Sequence, residues 1–404
     1  MDLDLSDEHR LFRETVRGFA EGVVGPVAEE LDADGRFPLA ELRQAAGLGL
    51  LGIPVPEADG GTGGDTLAYA ICIEELARVD SSFAITVAAH TSLGTMPILL
   101  FGDERQRAEW LPRLAAGEQL AAFGLTEPEA GSDAGATRTT ARAEDGEWVI
   151  DGAKMFITNA GTEISGCVTI TARTGDDEIS NFIVPNGTPG YDVGPPLKKM
   201  GWKSSDTRPL AFAGCRVPAD NLLGPRGEGL HQFLTILDGG RISVAALGLG
   251  LAQGAYELAL AYARTRQQFG RAISRFQAIQ FKLADMATEI AAARALVYRC
   301  AWLKDRGRPF AHEASMAKLY TAELACRVAD EAVQIHGGYG YMDEYAVSRF
   351  YRDAKILEIG EGTNEIQRLV IARGLGLELS SNRSSGATSA APPTSSAARS
   401  RARP

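Results

Sequence analysis

The sequence predicts a mainly helical α+β chain in three parts: a helical domain over residues 1–120, a small β domain over 121–230 and a helical bundle over 231–379. Two changes of pattern and one of composition predict it. Apolar residues at helical spacing, beginning with Leu11, Phe12, Val16 and Phe19, give way near Ala121 to short β-branched and aromatic runs between Asp-Gly, Thr-Gly and Asn-Gly turns. From His231 helical spacing returns in longer stretches. After Leu379 large apolar residues almost vanish in favour of Ser, Ala, Pro and Arg, so 380–404 is expected to be a disordered tail with nothing to bury against the entropy of ordering.

Taken in order, Ser6 followed by Asp7 and Glu8 reads as the N-cap and acidic first turn of the opening helix. A helix closes over 47–54, and the Gly-rich run 59–64 is a loop. Further helices run over 69–79 and 83–101, the second so apolar that it is expected to be buried on most sides. In the middle part, 148–150, 167–171, 182–184 and 210–212 read as strands. Beyond it, Ile279, Leu283, Met286, Ile290, Ala293, Val297 and Ala301 make an apolar stripe along one helix, and helices over 257–265, 313–334 and 347–356 supply the neighbours for an antiparallel bundle.

A chain of 404 residues can bury a large core and form two or three domains. A net charge of −11 with dispersed acids argues against nucleic-acid binding, which needs a basic stripe. The five cysteines are Cys72, Cys167, Cys215, Cys300 and Cys326, far apart and without C-x-x-C spacing. They read as small buried residues of a reducing compartment, with no metal site. The first ten residues are acidic where a signal peptide is basic, and no apolar run is long enough for a membrane span. A cytoplasmic location without membrane insertion is therefore expected.

Rossmann, P-loop, zincin and α/β-hydrolase motifs are missing. Chemistry concentrates instead in 356–368, where an apolar run stops at Gly360, Glu361 follows, and Gly362-Thr363-Asn364 turns into a helical start. Held against apolar surroundings, such a carboxylate is driven toward its neutral form and can act as a base near neutral pH. A surface loop capped by Glu361, Thr363 or Asn364 is the competing reading. Upstream, 123–133 combines hydroxyls at Thr126 and Ser132 with a Gly131-Ser132 turn whose N–H groups can face an anion. Phe156 and Thr158, one residue apart, place a ring and a hydroxyl on one strand face, suited to a flat hydrogen-bonding ligand. Arg264, Arg266 and Gln277 offer donors for a pyrophosphate, and the glycines of 337–340 break a long helix. Lone His336 reads as structural.

Five of these stretches in register, TEPEAGSD, KMFITN, RTRQQFG, QIHGGYGY and EGTNEIQR, resemble the acyl-CoA dehydrogenase family over residues 5–379. The resemblance implies a helical domain, a central β domain and a C-terminal four-helix bundle, with FAD bound between them and between subunits of a homotetramer. It implies cofactor contacts from Phe123, Leu125, Thr126, Gly131, Ser132, Phe156, Ile157 and Thr158. A neighbouring subunit would add Arg266, Gln268, Phe269, Gln277, Gln334, Ile335, His336, Gly337 and Gly338, while Thr363, Asn364 and Glu365 close over the flavin. Ser132, Asp238, Gly239, Gly240, Arg241 and Gly362 resemble substrate contacts, and Glu361 matches the catalytic base.

Phe156 stands where many members have Trp, and Gly360 where Tyr is frequent. One branch of the family carries its base at the position that is Gly240 here, which offers no carboxylate. The activity implied is α,β-dehydrogenation of an acyl-CoA to the trans-2-enoyl-CoA, reoxidised by an electron-transfer flavoprotein. Three alternatives stand beside it: a flavin oxidase or monooxygenase, a dehydrogenase of carrier-protein thioesters, and a catalytically silent scaffold.

Overall fold

A computed structural model describes residues 4–377. The tail expected over 380–404 lies outside the described residues. The chain opens with α1 (Asp7–Phe19), where the Ser6 hydroxyl accepts from the His9 amide at 3.2 Å, as an N-cap should. The helices α2 (Ala28–Asp34), α3 (Leu39–Gly47) and α4 (Thr66–Val79) follow, then α5 (Ser81–Ala88), α6 (Met96–Phe101) and α7 (Glu104–Ala115). Between α5 and α6 the helix widens into a π-helical turn over Ala89–Thr95, a local distortion often found beside functional sites.

The strands are β1 (Leu120–Gly124), β2 (Thr140–Glu144), β3 (Glu147–Thr158), β4 (Ser165–Gly175), β5 (Glu178–Pro185), β6 (Tyr191–Val193), β7 (Thr207–Pro218) and β8 (Leu222–Leu223). They form one sheet in the order β6-β7-β3-β2-β4-β5-β8, with β1 pairing parallel to β4. The simple alternation expected at Phe156 and Thr158 is interrupted. The β3–β7 register shifts between Lys154 and Ile157, and Phe156 adopts φ +63°. The bulge turns Phe156 outward, 65% exposed, while Ile157 enters the sheet core beside Ile150 and Leu210.

The last part begins with α8 (Gly229–Thr265), a single 37-residue helix of which the expected 257–265 segment is only the end. A two-stranded hairpin, β9 (Gln267–Gln268) and β10 (Arg271–Ala272), leads to α9 (Gln277–Asp305), α10 (Ala311–His336), α11 (Ala346–Ala354) and α12 (Asn364–Gly374). On α9 the expected stripe from Leu283 to Ala301 is buried, with Ile279 at its partly exposed edge. The bundle and the N-terminal helices share one continuous core. Their contact is close because α8 presents glycine to α4: a Cβ at Gly250 would lie 2.2 Å from the Glu74 carbonyl oxygen, and one at Gly254 only 2.0 Å from that of Arg78.

The expectation that no stretch could span a membrane is corrected by two helical runs. Ser81–Phe101 and Gly229–Thr265 are long and apolar enough, but 78% and 72% of their apolar windows are buried inside the protein. Scattered Ser, Thr and Gly hid them from a search for uninterrupted apolar runs. Their apolarity serves the shared core.

Candidate active site

The turn that carries Glu361 is set by its neighbours. A 3₁₀ turn over Lys355–Glu358 runs into Gly360, then Glu361 at φ +52° and Gly362 at φ +89°. Thr363 caps α12, its hydroxyl accepting from the Ile366 amide at 3.4 Å. The capping role is thereby filled, and Glu361 is free of it. A non-glycine residue in the left-handed region is strained, and such strain collects at functional sites.

Residue 361 as a whole is half-buried, but its Oε2 is sealed from solvent and has no hydrogen-bond partner among the described residues. The carboxylate lies over α8 where Gly240 leaves room: a Cβ there would stand 2.6 Å from Glu361 Oε2 and 3.2 Å from Leu93 Cδ2. Burial pushes the Glu361 carboxyl up to about 7, and the charges of Lys318 and Arg241 pull against that rise. Arg241 pairs with Asp238 and reaches Ser315 Oγ at 3.4 Å, while its buried Nε has no hydrogen-bond partner among the described residues. Below the carboxylate, Ser243 donates to the Gly240 carbonyl at 2.8 Å, and Ser92 and Tyr69 donate to that of Ala88 at 2.7 and 3.0 Å.

Two of the expected cofactor stretches meet on the sheet. The Met155 amide donates to the Thr126 carbonyl at 2.9 Å, bringing 123–133 against 154–159. Phe123 stacks on Phe233 of α8 at 3.9 Å, which joins this face to the helix that carries Asp238, Gly239, Gly240 and Arg241. Leu125, Thr126 and Thr158 are half-buried, and Gly131 and Ser132 are exposed.

A third group lies elsewhere. Arg266 stands 5.3 Å from the Tyr339 ring centroid, so 264–270 and 334–340 are adjacent. The hairpin turn carries Phe269 at φ +51° and 92% exposed, and Gln268, Gln277, Gln334, Gly337 and Gly338 are exposed around it. His336 stacks on Tyr262 at 4.2 Å and its Nδ1 lies 2.8 Å from the Ala332 carbonyl oxygen, a structural arrangement. Ile335 points into the shared core. Continuous helix separates Gly240 from Arg266, roughly 39 Å at the α-helical rise. This group is therefore remote from its own chain's Glu361.

Sequence reasoning missed three contributors. Lys318 and Gln367, both fully buried, bond the Gly362 carbonyl. Glu127, inside TEPEAGSD, binds buried Lys154 at 2.7 Å rather than facing a ligand. Asn364 is likewise turned inward, its Oδ1 accepting from Lys318 at 3.1 Å, whereas Glu365 is exposed.

Three family profiles match the chain in succession: acyl-CoA dehydrogenase N-terminal domain over 6–118, middle domain over 122–215 and C-terminal domain over 227–376. The chain belongs to the acyl-CoA dehydrogenase family. A probable acyl-CoA dehydrogenase of Bacillus subtilis is 51% identical over 93% of this chain and 100% of its own length. Butyryl-CoA dehydrogenase from Megasphaera elsdenii superposes with a TM-score of 0.90 at 42% identity, over 93% of this chain and 100% of that one. A chain from the structure of the electron transferring flavoprotein of Acidaminococcus fermentans superposes with a TM-score of 0.91 at 43% identity, over 93% and 99%.

Acyl-CoA dehydrogenases are FAD-dependent. The sheet face fits such a group: Phe156 is held outward in strained backbone with its ring uncovered, and the open Gly131 turn lies in the stretch bonded to its strand.

Proposed function

We propose that this acyl-CoA dehydrogenase converts a short acyl-CoA to its trans-2-enoyl-CoA, with Glu361 as the base. The observation that carries the proposal is the Glu361 carboxyl, pushed up to about 7 beside the space left by Gly240, with its Oε2 sealed and without a hydrogen-bond partner among the described residues. A base near neutral has the affinity to take a proton and to release it again.

The α-proton of a thioester is too weakly acidic for a carboxylate unless the enolate is stabilised. The backbone N–H of Glu361 is the donor we assign to the thioester carbonyl, and a donor aimed at developing charge in a water-poor site is worth about 3 kcal/mol. Glu361 removes the α-proton, the Cα–H electron pair forms the new double bond, and the β-hydrogen departs with its pair. FAD, when bound, would supply the acceptor for that hydride. Phe123, Leu125, Thr126, Gly131, Ser132, Phe156 and Thr158 would hold it from one chain, with Ile157 offering only its backbone.

We assign Arg266, Gln268, Phe269, Gln277 and 334–338 to the FAD of a second copy, in a homotetramer. The distance from their own Glu361 supports this. The butyryl-CoA dehydrogenase likeness supports a short acyl chain, a place in β-oxidation and CoA as the carrier. The Acidaminococcus likeness supports an electron-transfer flavoprotein as acceptor. A cytoplasmic location accords with five free cysteines.

Anaerobic mixing of the holoenzyme with butyryl-CoA tests the reading. The wild type should bleach its flavin rapidly, and Glu361→Gln should show only the small spectral shift of ligand binding. Bleaching of Glu361→Gln at the wild-type rate would remove Glu361 from the role of base.

A further inference from the structure

The base-bearing turn is gripped by a side chain that the reaction above does not use. Lys318, on α10, is fully buried, and its Nζ donates to the Gly362 carbonyl at 2.9 Å and to Asn364 Oδ1 at 3.1 Å. The Gln367 amide donates to the same carbonyl at 2.9 Å and approaches that of Glu361 at 3.4 Å. These donors fix the carbonyls of the two residues that sit at positive φ. Left-handed backbone is strained for a residue that carries a side chain. Released from its clamp, residue 361 would relax and swing its Cα–Cβ bond away from Gly240.

We propose that Lys318 is the positioning residue of this site: through the Gly362 carbonyl it holds Glu361 in the left-handed backbone that lays its carboxylate against Gly240. The proposal rests on Glu361 being the base. A neutral donor would grip a carbonyl without the cost of burying a charge. The choice of lysine has a second effect, because its charge favours the ionised carboxylate. Around Glu361 stand Lys318 from α10, Arg241 from α8 and buried, neutral Tyr69 from α4. Lys318 in turn feels Glu361, Arg241, Glu358 and Glu365. Burial pushes it down to about 8, so it is still largely charged at neutral pH.

The test compares wild-type holoenzyme with Lys318→Met, Lys318→Arg, Gln367→Met and Glu361→Gln. Two quantities are read: the rate of anaerobic flavin reduction by butyryl-CoA against pH, and the infrared titration of the Glu361 carboxyl in substrate-free enzyme, assigned by its loss in Glu361→Gln. Lys318→Met should raise the acid limb and the titration midpoint by about one pH unit. It should also lower the plateau rate roughly tenfold or more through misplacement of the base. Lys318→Arg should bring the midpoint back toward wild type with the rate still reduced. Gln367→Met should lower the rate and leave the midpoint in place.

Either a wild-type plateau rate or a wild-type midpoint in folded Lys318→Met would overturn the proposal: the first would show that Glu361 keeps its place without the lysine, the second that the lysine acts as a merely structural residue whose charge does not reach the carboxylate. Should Lys318→Met fail to fold with flavin, wild-type plateau rates in both Lys318→Arg and Gln367→Met would overturn it instead. Full activity in Glu361→Gln is a separate result, which removes the base assignment itself.

Discussion

Lys154 in the sheet and Lys318 in the bundle are both fully buried, and burial pushes both down to about 8. Their surroundings diverge from there. Lys154 meets a carboxylate, Glu127 Oε1 at 2.7 Å, with Thr171 Oγ1 at 3.0 Å and the Leu125 carbonyl at 3.3 Å. Glu127 also accepts from the Arg138 and Thr139 amides at 2.7 and 3.1 Å. Burial alone would raise its carboxyl, but the Lys154 charge and these bonds hold it below the ordinary range. Lys318 instead bonds a carbonyl and an amide, leaving Glu361 Oε2 nearby without a hydrogen-bond partner among the described residues. One lysine consumes its carboxylate and the other leaves it available. Burial of an acid therefore says less about chemistry than what the neighbouring cation is bonded to.

Substitution should break this contrast in a graded way. The largest effect belongs to Glu361→Gln, whose flavin reduction should fall by at least ~10²–10⁴-fold, with no carboxylate at Gly240 to take over. Next comes Glu127→Gln, which strands the Lys154 charge in the sheet. A broken buried pair costs about 3–5 kcal/mol, so its urea midpoint should fall well below wild type, while that of Glu361→Gln should not.

The two acids also differ in the sign of their pH dependence. The folded-state value of Glu361, about 7, lies above its ordinary 4.5. Between those values the unfolded chain binds fewer protons, so this residue's contribution to stability falls as pH rises and is fully adverse above 7. Glu361→Gln should consequently melt a few degrees above wild type at alkaline pH and level with it below 4.5. Glu127, held low, contributes stability above its ordinary value that is lost as pH falls. Melting curves of both variants across pH would expose equal slopes if the contrast were false. The smallest effect expected is from Arg266→Ala, where loss of a charge-assisted contact should weaken FAD retention about tenfold, measured by fluorescence of released flavin.

Local signals were legible in the sequence. The Ser6 cap, the α9 stripe and the strand runs depend on neighbours a few residues away, and the Gly-flanked bend at Glu361 was visible for the same reason. Long-range pairing was hidden. Nothing in the run ASMAKLY marks Lys318 as the partner of a carbonyl 44 residues later, and on its helix it reads as a surface lysine. Glu127 and Lys154 stand in different motifs, and only the sheet brings them together. The bulge at Phe156 was unreadable because a register shift depends on the facing strand, and Ile157 was misdirected with it.

The uninterrupted helix α8 fixes relations between distant points of the molecule. Gly240 must face Glu361 while Gly250 and Gly254 face the carbonyls of α4, and Arg266 must emerge beside Tyr339. One inserted residue would turn everything beyond it by about 100°. Seven would nearly restore the rotation but lengthen the rod by about 10 Å. No change of length keeps every facing. Among descendants of this chain, substitutions can accumulate along the outer side of α8, but insertions and deletions between 241 and 265 should be purged, so that its length is inherited as a constant while its composition drifts.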